Sequence, residues 1–166
     1  PKAALEIIRL DLKSKRYDEA LAKAREYGKK YEGVVGDLTN YAKLYEGESL
    51  FELQRYDEAL TMYTSIKPSD DVSLKKAALN GRAWTLRKSG KHKEATVIFL
   101  QLFDLDATNG VQSLFWAARS FEDASDFDKA FSHFSKFVEV FKDDELIPEA
   151  LYRQASCATR NGNATE

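Results

Sequence analysis

The sequence predicts an all-α fold of stacked helix pairs, and three observations carry that expectation. The segment Arg55-Tyr56-Asp57-Glu58-Ala59-Leu60 recurs almost unchanged as Arg16-Tyr17-Asp18-Glu19-Ala20-Leu21. It recurs more loosely as Lys91-His92-Lys93-Glu94-Ala95-Thr96 and Asp126-Phe127-Asp128-Lys129-Ala130-Phe131. The alanines fall at 20, 59, 95 and 130, at intervals of 39, 36 and 35 residues, and self-similarity at such a period marks a repeat array. Between these segments apolar residues recur at helical spacing, while the sustained alternation of a half-buried strand is nowhere found.

Taken in order, Leu5, Ile8, Leu10 and Leu12 define an irregular amphipathic helix over about 3–14. A second runs from Tyr17 to Tyr31 through Ala20, Ala24 and Tyr27, ended by Gly33 and Gly36. Asp37 is placed to N-cap a third, marked by Tyr41, Leu44, Gly47, Leu50, Phe51 and Leu53. The fourth spans Asp57 to Ile66 and stops before Pro68, after which Ser69, Asp70 and Asp71 offer caps. Leu79, Ala83 and Leu86 mark the fifth. Gly90 separates it from a sixth that carries Ala95, Ile98, Phe99, Leu102 and Phe103. Past the Asn109-Gly110 breaker, Leu114, Ala118 and Phe121 mark the seventh helix, and Ala130, Phe134, Phe137, Val138 and Phe141 the eighth. Pro148 suits the first turn of a ninth, with Leu151, Ala155 and Ala158.

The spacing also says what each residue type is for. Twelve places before the anchor alanine stand Gly47, Ala83 and Ala118, and ten places before it Ser49, Thr85 and Ser120. Helices approach closely only where side chains are small, because the interaxial distance depends on what occupies the crossing. Large residues flank that point: Leu50, Leu86 and Phe121 nine places before, Tyr63, Phe99 and Phe134 four after. Acids just ahead of the alanine suit the positive end of the second helix's dipole. The rings Tyr17, Tyr56, His92 and Phe127 wedge the turn between the two helices.

Composition narrows the function. With 25 basic and 27 acidic residues and a net charge of −2, the chain lacks the basic surface expected of a nucleic-acid binder. No apolar run approaches the roughly 20 residues needed to span a bilayer. Cys157 is the only cysteine, so no internal disulfide forms, and its small-residue register position predicts a buried, inert thiol. His92 and His133 share no ligand spacing with each other or with Cys157, so no metal and no cofactor are expected. Paired acids such as Asp70-Asp71 and Asp143-Asp144 read as helix caps. Neither a phosphate-binding glycine loop nor a nucleophile motif is present.

Gly47-Glu48-Ser49-Leu50-Phe51-Glu52-Leu53-Gln54-Arg55-Tyr56-Asp57-Glu58-Ala59, and Ala118-Arg119-Ser120-Phe121 leading to Asp126-Phe127-Asp128-Lys129-Ala130, resemble the tetratricopeptide repeat, a helix-turn-helix of about 34 residues. The resemblance implies a right-handed α-solenoid of antiparallel pairs, about nine helices in a single array over 1–166. Its repeats fall near 2–36, 37–70, 71–109 and 110–144, with a partial repeat at 145–166. The turn glycine of the family survives only as Gly90, and Leu79 or Leu114 stands where its early tryptophan is common. The longer intervals, and Phe137-Val138-Glu139-Val140-Phe141 running into Pro148-Glu149-Ala150-Leu151, resemble the bacterial envelope subgroup of outer-membrane assembly lipoproteins and the Tol–Pal partner. That leans localisation toward the periplasm. The chain starts at Pro1, and the register places the next anchor alanine just after Glu166, so the expectation is a piece of a longer array.

The resemblance further implies a concave face formed by the first helix of each pair. Its partner-binding residues would be Tyr41, Leu44, Glu48, Phe51, Asn80, Trp84, Arg87, Phe115, Arg119 and Tyr152, with Lys88, Glu122, Glu149 and Thr159 alongside. Aromatics and arginine dominate binding hot spots. The same rings are equally open to reading as ordinary packing, because core and groove stripes differ by only about 100° of helical phase. The family's two-carboxylate clamp of lysine, asparagine and arginine is largely missing: Leu44, Glu48 and Asn80 stand at its positions. The expectation is a non-catalytic scaffold that binds a protein or peptide, without nucleic acid and without a membrane span. Self-association through the last helix is a further reading. The alternatives are an RNA-binding helical-hairpin array and the adaptor segment of a larger enzyme.

Overall fold

A computed structural model describes residues 1–33, 37–108 and 110–160. Among them are nine helices and no strand: α1 (Lys2–Lys13), α2 (Tyr17–Lys30), α3 (Leu38–Glu52), α4 (Tyr56–Thr64), α5 (Val72–Lys88), α6 (His92–Leu105), α7 (Val111–Asp123), α8 (Phe127–Val140) and α9 (Ile147–Arg160). The all-α expectation holds. The breakers expected at Gly36 and Asn109 lie outside the described residues. The chain divides into two compact units, Pro1–Ser89 and Gly90–Glu166.

The recurrent motif is a joint, and its register explains the turns. Five places before each anchor alanine the backbone is left-handed: Lys15 (φ 58), Gln54 (φ 60), Gly90 (φ 78) and Ser125 (φ 60). In three of these turns the next amide reaches back over the helix end, Arg16 N to Asp11 O at 2.9 Å, Arg55 N to Leu50 O at 2.8 Å and Asp126 N to Phe121 O at 2.9 Å. This six-to-one bond satisfies a carbonyl that the helix end would otherwise leave open. Each ring residue then begins the second helix, and the Tyr56 ring rests against Phe51 with centroids 5.7 Å apart. The four alanines, Ala20, Ala59, Ala95 and Ala130, are all fully buried.

In the first unit each helix packs on the next, and α3 also packs on α1 and α5. Leu21, Leu44, Leu50, Ala59, Tyr63 and Leu74 form one core cluster; Leu5, Ile8, Ala20, Ala24, Tyr27 and Ala42 form another. Tyr63 of α4 explains two glycines. A Cβ added at Gly47 of α3 would stand 2.8 Å from its ring, and one at Gly81 of α5 closer still. The ring is thus wedged between the two first helices, a more specific reason for Gly47 than proximity to the anchor alanine. Ser49 and Thr85 turn their buried hydroxyls onto the carbonyls of Tyr45 and Gly81, at 2.8 and 2.7 Å.

Several expectations need correction. Leu10 is exposed, because it points about 200° around the helix from Ile8, away from the stripe set by Leu5, Ile8 and Leu12. α4 ends at Thr64, ahead of both Ile66 and Pro68, with the Ser65 amide closing onto Thr61 and Met62. Asp37 holds the N-cap position of α3 without capping it; its carboxylate accepts from Asn40 Nδ2 at 3.1 Å and Ser69 Oγ at 2.7 Å. Asp71 does cap, accepting from the amides of Ser73 and Leu74 at 2.9 and 3.1 Å.

In the second unit consecutive helices also pack pairwise. The core centres on Phe115, Phe134 and Phe137, with Phe115 edge-on to the other two at 5.8 and 5.5 Å. Leu114, Ala118, Ala130, Ala150 and Cys157 complete it. Burial pushes the Cys157 thiol up to about 11, the unreactive thiol expected from its register. His133 is held by its own helix, Nδ1 lying 2.8 Å from Lys129 O, and its ring packs on Phe121 at 4.8 Å.

Candidate functional site

On the first unit, α3 and α5 bring Glu48, Phe51, Asn80 and Trp84 to one pocket of about 200 Å³. Glu52, Ala77, Gly81 and Tyr63 complete its lining. Four of the expected residues therefore converge. The convergence follows from the register: Glu48 and Trp84 both stand eleven places before their anchor alanines, on helices that pack side by side. Gly47 and Gly81 make it possible, since their missing side chains leave space for the Tyr63 ring that floors the pocket.

The electrostatics of this pocket are unusual for its size. Glu48 is half-buried and, among the described residues, has no hydrogen bond or ion pair. Burial, reinforced by the Glu52 carboxylate one turn on, pushes its carboxyl up to about 7. Burial likewise raises the Tyr63 phenol, with Glu48 and Glu52 adding to the effect. Arg87 lies over the Trp84 ring, its guanidinium carbon 5.9 Å from a ring centroid, a distance that permits a cation–π contact. Among the described residues no lysine or arginine lines the pocket itself.

The other expected residues have different places. Tyr41 donates its hydroxyl to Asp71 at 2.7 Å, joining α3 to the cap of α5, and that bond with burial pushes its phenol up to about 12. Leu44 is only 3% exposed and Phe115 only 2%. Both were expected on an open face and instead belong to the cores, Leu44 in the cluster of Leu50 and Tyr63, and Phe115 in that of Phe134 and Phe137. Asn80 and Tyr152 stand at the equivalent position and are exposed, Tyr152 at 74%. One register position therefore has two fates in this chain.

In the second unit Arg119 is drawn into a charged lattice between α7 and α9. It reaches Glu122 and Glu149, both at 3.4 Å, while Arg153 reaches the same two carboxylates at 3.0 and 2.8 Å. Arg153 and Trp116 were missed by the sequence reasoning. Trp116 lies one residue past Phe115; its indole donates to Gln112 at 3.0 Å and lies 5.9 Å from the Arg119 guanidinium. Its signal was that same phase difference, since Leu114, Ala117 and Ala118 already fix the buried side of α7.

Asp11 is a further residue that the repeat pattern does not mark. It stands nine places before Ala20, where Leu50, Leu86 and Phe121 stand in the other repeats, and is buried. Lys23 and Arg16 both bond its carboxylate and hold it below the usual carboxylate range. This reads as a structural substitute for an apolar side chain, since both cations come from the same helix pair. Among the described residues no group of three or more His, Cys, Asp or Glu is placed to hold a metal, and no helix is long and apolar enough to cross a membrane. A larger trough of about 1030 Å³ lies among α2, α3 and α4, with Arg25, Lys43 and Lys67 among its lining residues. It is wide and brings no candidate residue together.

Helix pairs joined by this turn, with an open pocket between successive first helices, define a helical-repeat protein. Family models of the tetratricopeptide repeat match residues 5–73 and 112–144, together more than half of the chain, and the chain belongs to the tetratricopeptide repeat family. The fold is similar to the nearly identical TPR-like repeats of a kinesin light chain candidate from Podosopora anserina, at 12% identity and a TM-score of 0.76, over 98% of this chain and 87% of that one. A single-substitution variant of those repeats aligns at 12% identity and a TM-score of 0.74, over 98% of this chain and 87% of that one. The MamA RS-1 ArsTM double mutant aligns at 14% identity and a TM-score of 0.75, over 96% of this chain and 84% of that one. At these identities the likeness concerns the fold alone. A search of curated proteins gives no match. Tetratricopeptide repeats generally mediate protein–protein interactions.

Proposed function

We propose that this chain is a non-catalytic scaffold whose first-helix face captures a peptide or an extended segment of a protein. The observation that carries the reading is the pocket between α3 and α5, where Glu48, Phe51, Asn80 and Trp84 meet. A cavity of this size takes one side chain, which is how a repeat array reads an extended ligand. In the second unit Arg119 and Tyr152 are the proposed contributors, Tyr152 through its exposed ring and Arg119 through exchange of its ion pairs. A bacterial cell-envelope setting is part of the proposal. It is supported by the 39-, 36- and 35-residue intervals, and fractionation of the native host checks it.

Affinity capture with the immobilised chain tests the scaffold reading. Trp84→Ala is expected to reduce the partner recovered by about tenfold or more, as for a buried aromatic hot spot, with helical circular dichroism unchanged. Arg119→Ala is expected to reduce it less, because Arg119 must give up its ion pairs with Glu122 and Glu149 before it meets a partner. Recovery indifferent to both substitutions refutes the first-helix face as the binding surface.

A further inference from the structure

The pocket between α3 and α5 is specific about charge, and this inference rests on the scaffold reading above. Its wall carries two carboxylates, Glu48 and Glu52, with Trp84 and Phe51 as aromatic sides, Asn80 at an exposed edge and the Tyr63 ring beneath. Among the described residues no basic side chain is part of its lining. Glu52 accepts a hydrogen bond from Tyr17, whereas Glu48 has no hydrogen bond or ion pair among the described residues. Tyr63 supplies a second, independent sign: it is only 5% exposed, it lines the pocket, and among the described residues its hydroxyl has no hydrogen-bond partner. An unpartnered hydroxyl on a buried tyrosine and a half-buried, unpaired carboxylate leave polar groups that a ligand can complete.

We propose that this pocket receives the basic end of a lysine or arginine side chain from a partner peptide lying along the first-helix face of the first unit. The ammonium or guanidinium would pair with Glu48 and Glu52 and donate a hydrogen bond to Tyr63 Oη, while its aliphatic stem lies against Phe51 and Trp84. Aromatic faces attract cations electrostatically, and a desolvated site strengthens that attraction. The occupant follows from charge complementarity: an acidic side chain would meet two carboxylates, and an apolar one would leave Glu48 and Tyr63 uncompensated. The raised Glu48 carboxyl agrees with a site waiting for a counter-charge. The titratable groups facing Glu48 are Glu52 and Tyr45 on α3 and Tyr63 on α4; the α5 residues of the lining do not titrate.

The test is selection of binders from a phage-displayed random dodecapeptide library on the purified full chain, followed by affinity measurement of synthetic peptides. Recovered peptides are expected to share a lysine or arginine at one fixed position. Replacing it with norleucine should weaken Kd about tenfold. Glu48→Gln should weaken the parent peptide similarly and leave the norleucine peptide almost unchanged, since the two substitutions remove the same interaction. Binding of the parent peptide should also tighten as pH rises from about 6 to about 8, as Glu48 ionises. Peptides that depend on Trp84 yet ignore both norleucine and Glu48→Gln overturn this occupant and leave the scaffold reading standing. An absence of binders, or binders indifferent to Trp84→Ala, overturns both. Asn80→Ala, at an exposed position, replaces Trp84→Ala if circular dichroism shows that variant misfolded.

Discussion

Glu48 shows how a single residue can carry a cost of the fold. Its carboxyl lies near 7 in the folded chain because burial and the Glu52 charge disfavour ionisation, against 4.5 when unperturbed. The folded state therefore binds this proton more tightly than the unfolded chain does. The stability it contributes is fully present below about 4.5 and is lost as pH rises through about 7. Glu48→Gln is expected to be more stable than the parent at pH 8 by on the order of 1–2 kcal/mol, reduced by the solvent that reaches part of the side chain. The gap should close near pH 4, and urea denaturation at the two pH values measures it. A gap of equal size at both would contradict this account of Glu48. Gly81 makes the complementary case. An alanine there must displace the Tyr63 ring, a clash expected to cost about 1–3 kcal/mol, read as a lower urea midpoint. The small residue at 47 was legible from its register. The reason for Gly81 was not, because it depends on a ring contributed by the preceding repeat.

At the scale of the helix and its turn, the sequence was most readable. The motif around Ala59 located every second helix, because ring, acid and alanine each answer a separate local demand of the joint. What it hid was the left-handed residue of the turn, occupied by Lys15, Gln54 and Ser125 where the family favours glycine. A side chain in that conformation is strained by about 1 kcal/mol. Gln54→Gly and Ser125→Gly are therefore expected to be neutral or to stabilise by up to about 1 kcal/mol, whereas Gly90→Ala destabilises by about that amount; thermal denaturation of the three variants gives the comparison. Asp71 shows a cap with a second duty. Its two amide bonds were expected from Ser69-Asp70-Asp71, but the bond from Tyr41 was not, since it joins helices thirty residues apart. Asp71→Ala should lower the urea midpoint through the lost cap and the orphaned tyrosine together. Asp71→Asn, which keeps an acceptor, should recover part of that loss.

Across the whole molecule, helix identity was legible and helix phase was less so. Leu44, Phe115 and Trp116 show why: a buried ring and a half-buried ring can be adjacent in sequence, and only packing decides which of them faces inward. The same packing gives each unit its own core, Leu50, Ala59 and Tyr63 in one, Phe115, Phe134 and Phe137 in the other. Stability in repeat proteins is approximately a sum of local terms and nearest-neighbour interfaces, so a core defect should be felt close to where it is made. Phe134→Ala removes a fully buried ring that contacts Phe115 and is expected to cost about 3–5 kcal/mol. Hydrogen exchange read by mass spectrometry should show protection falling across α7, α8 and α9 while α1 to α3 retain theirs. Uniform loss along the chain would mean that the array unfolds as a single cooperative block, and the local sum would then fail for this protein.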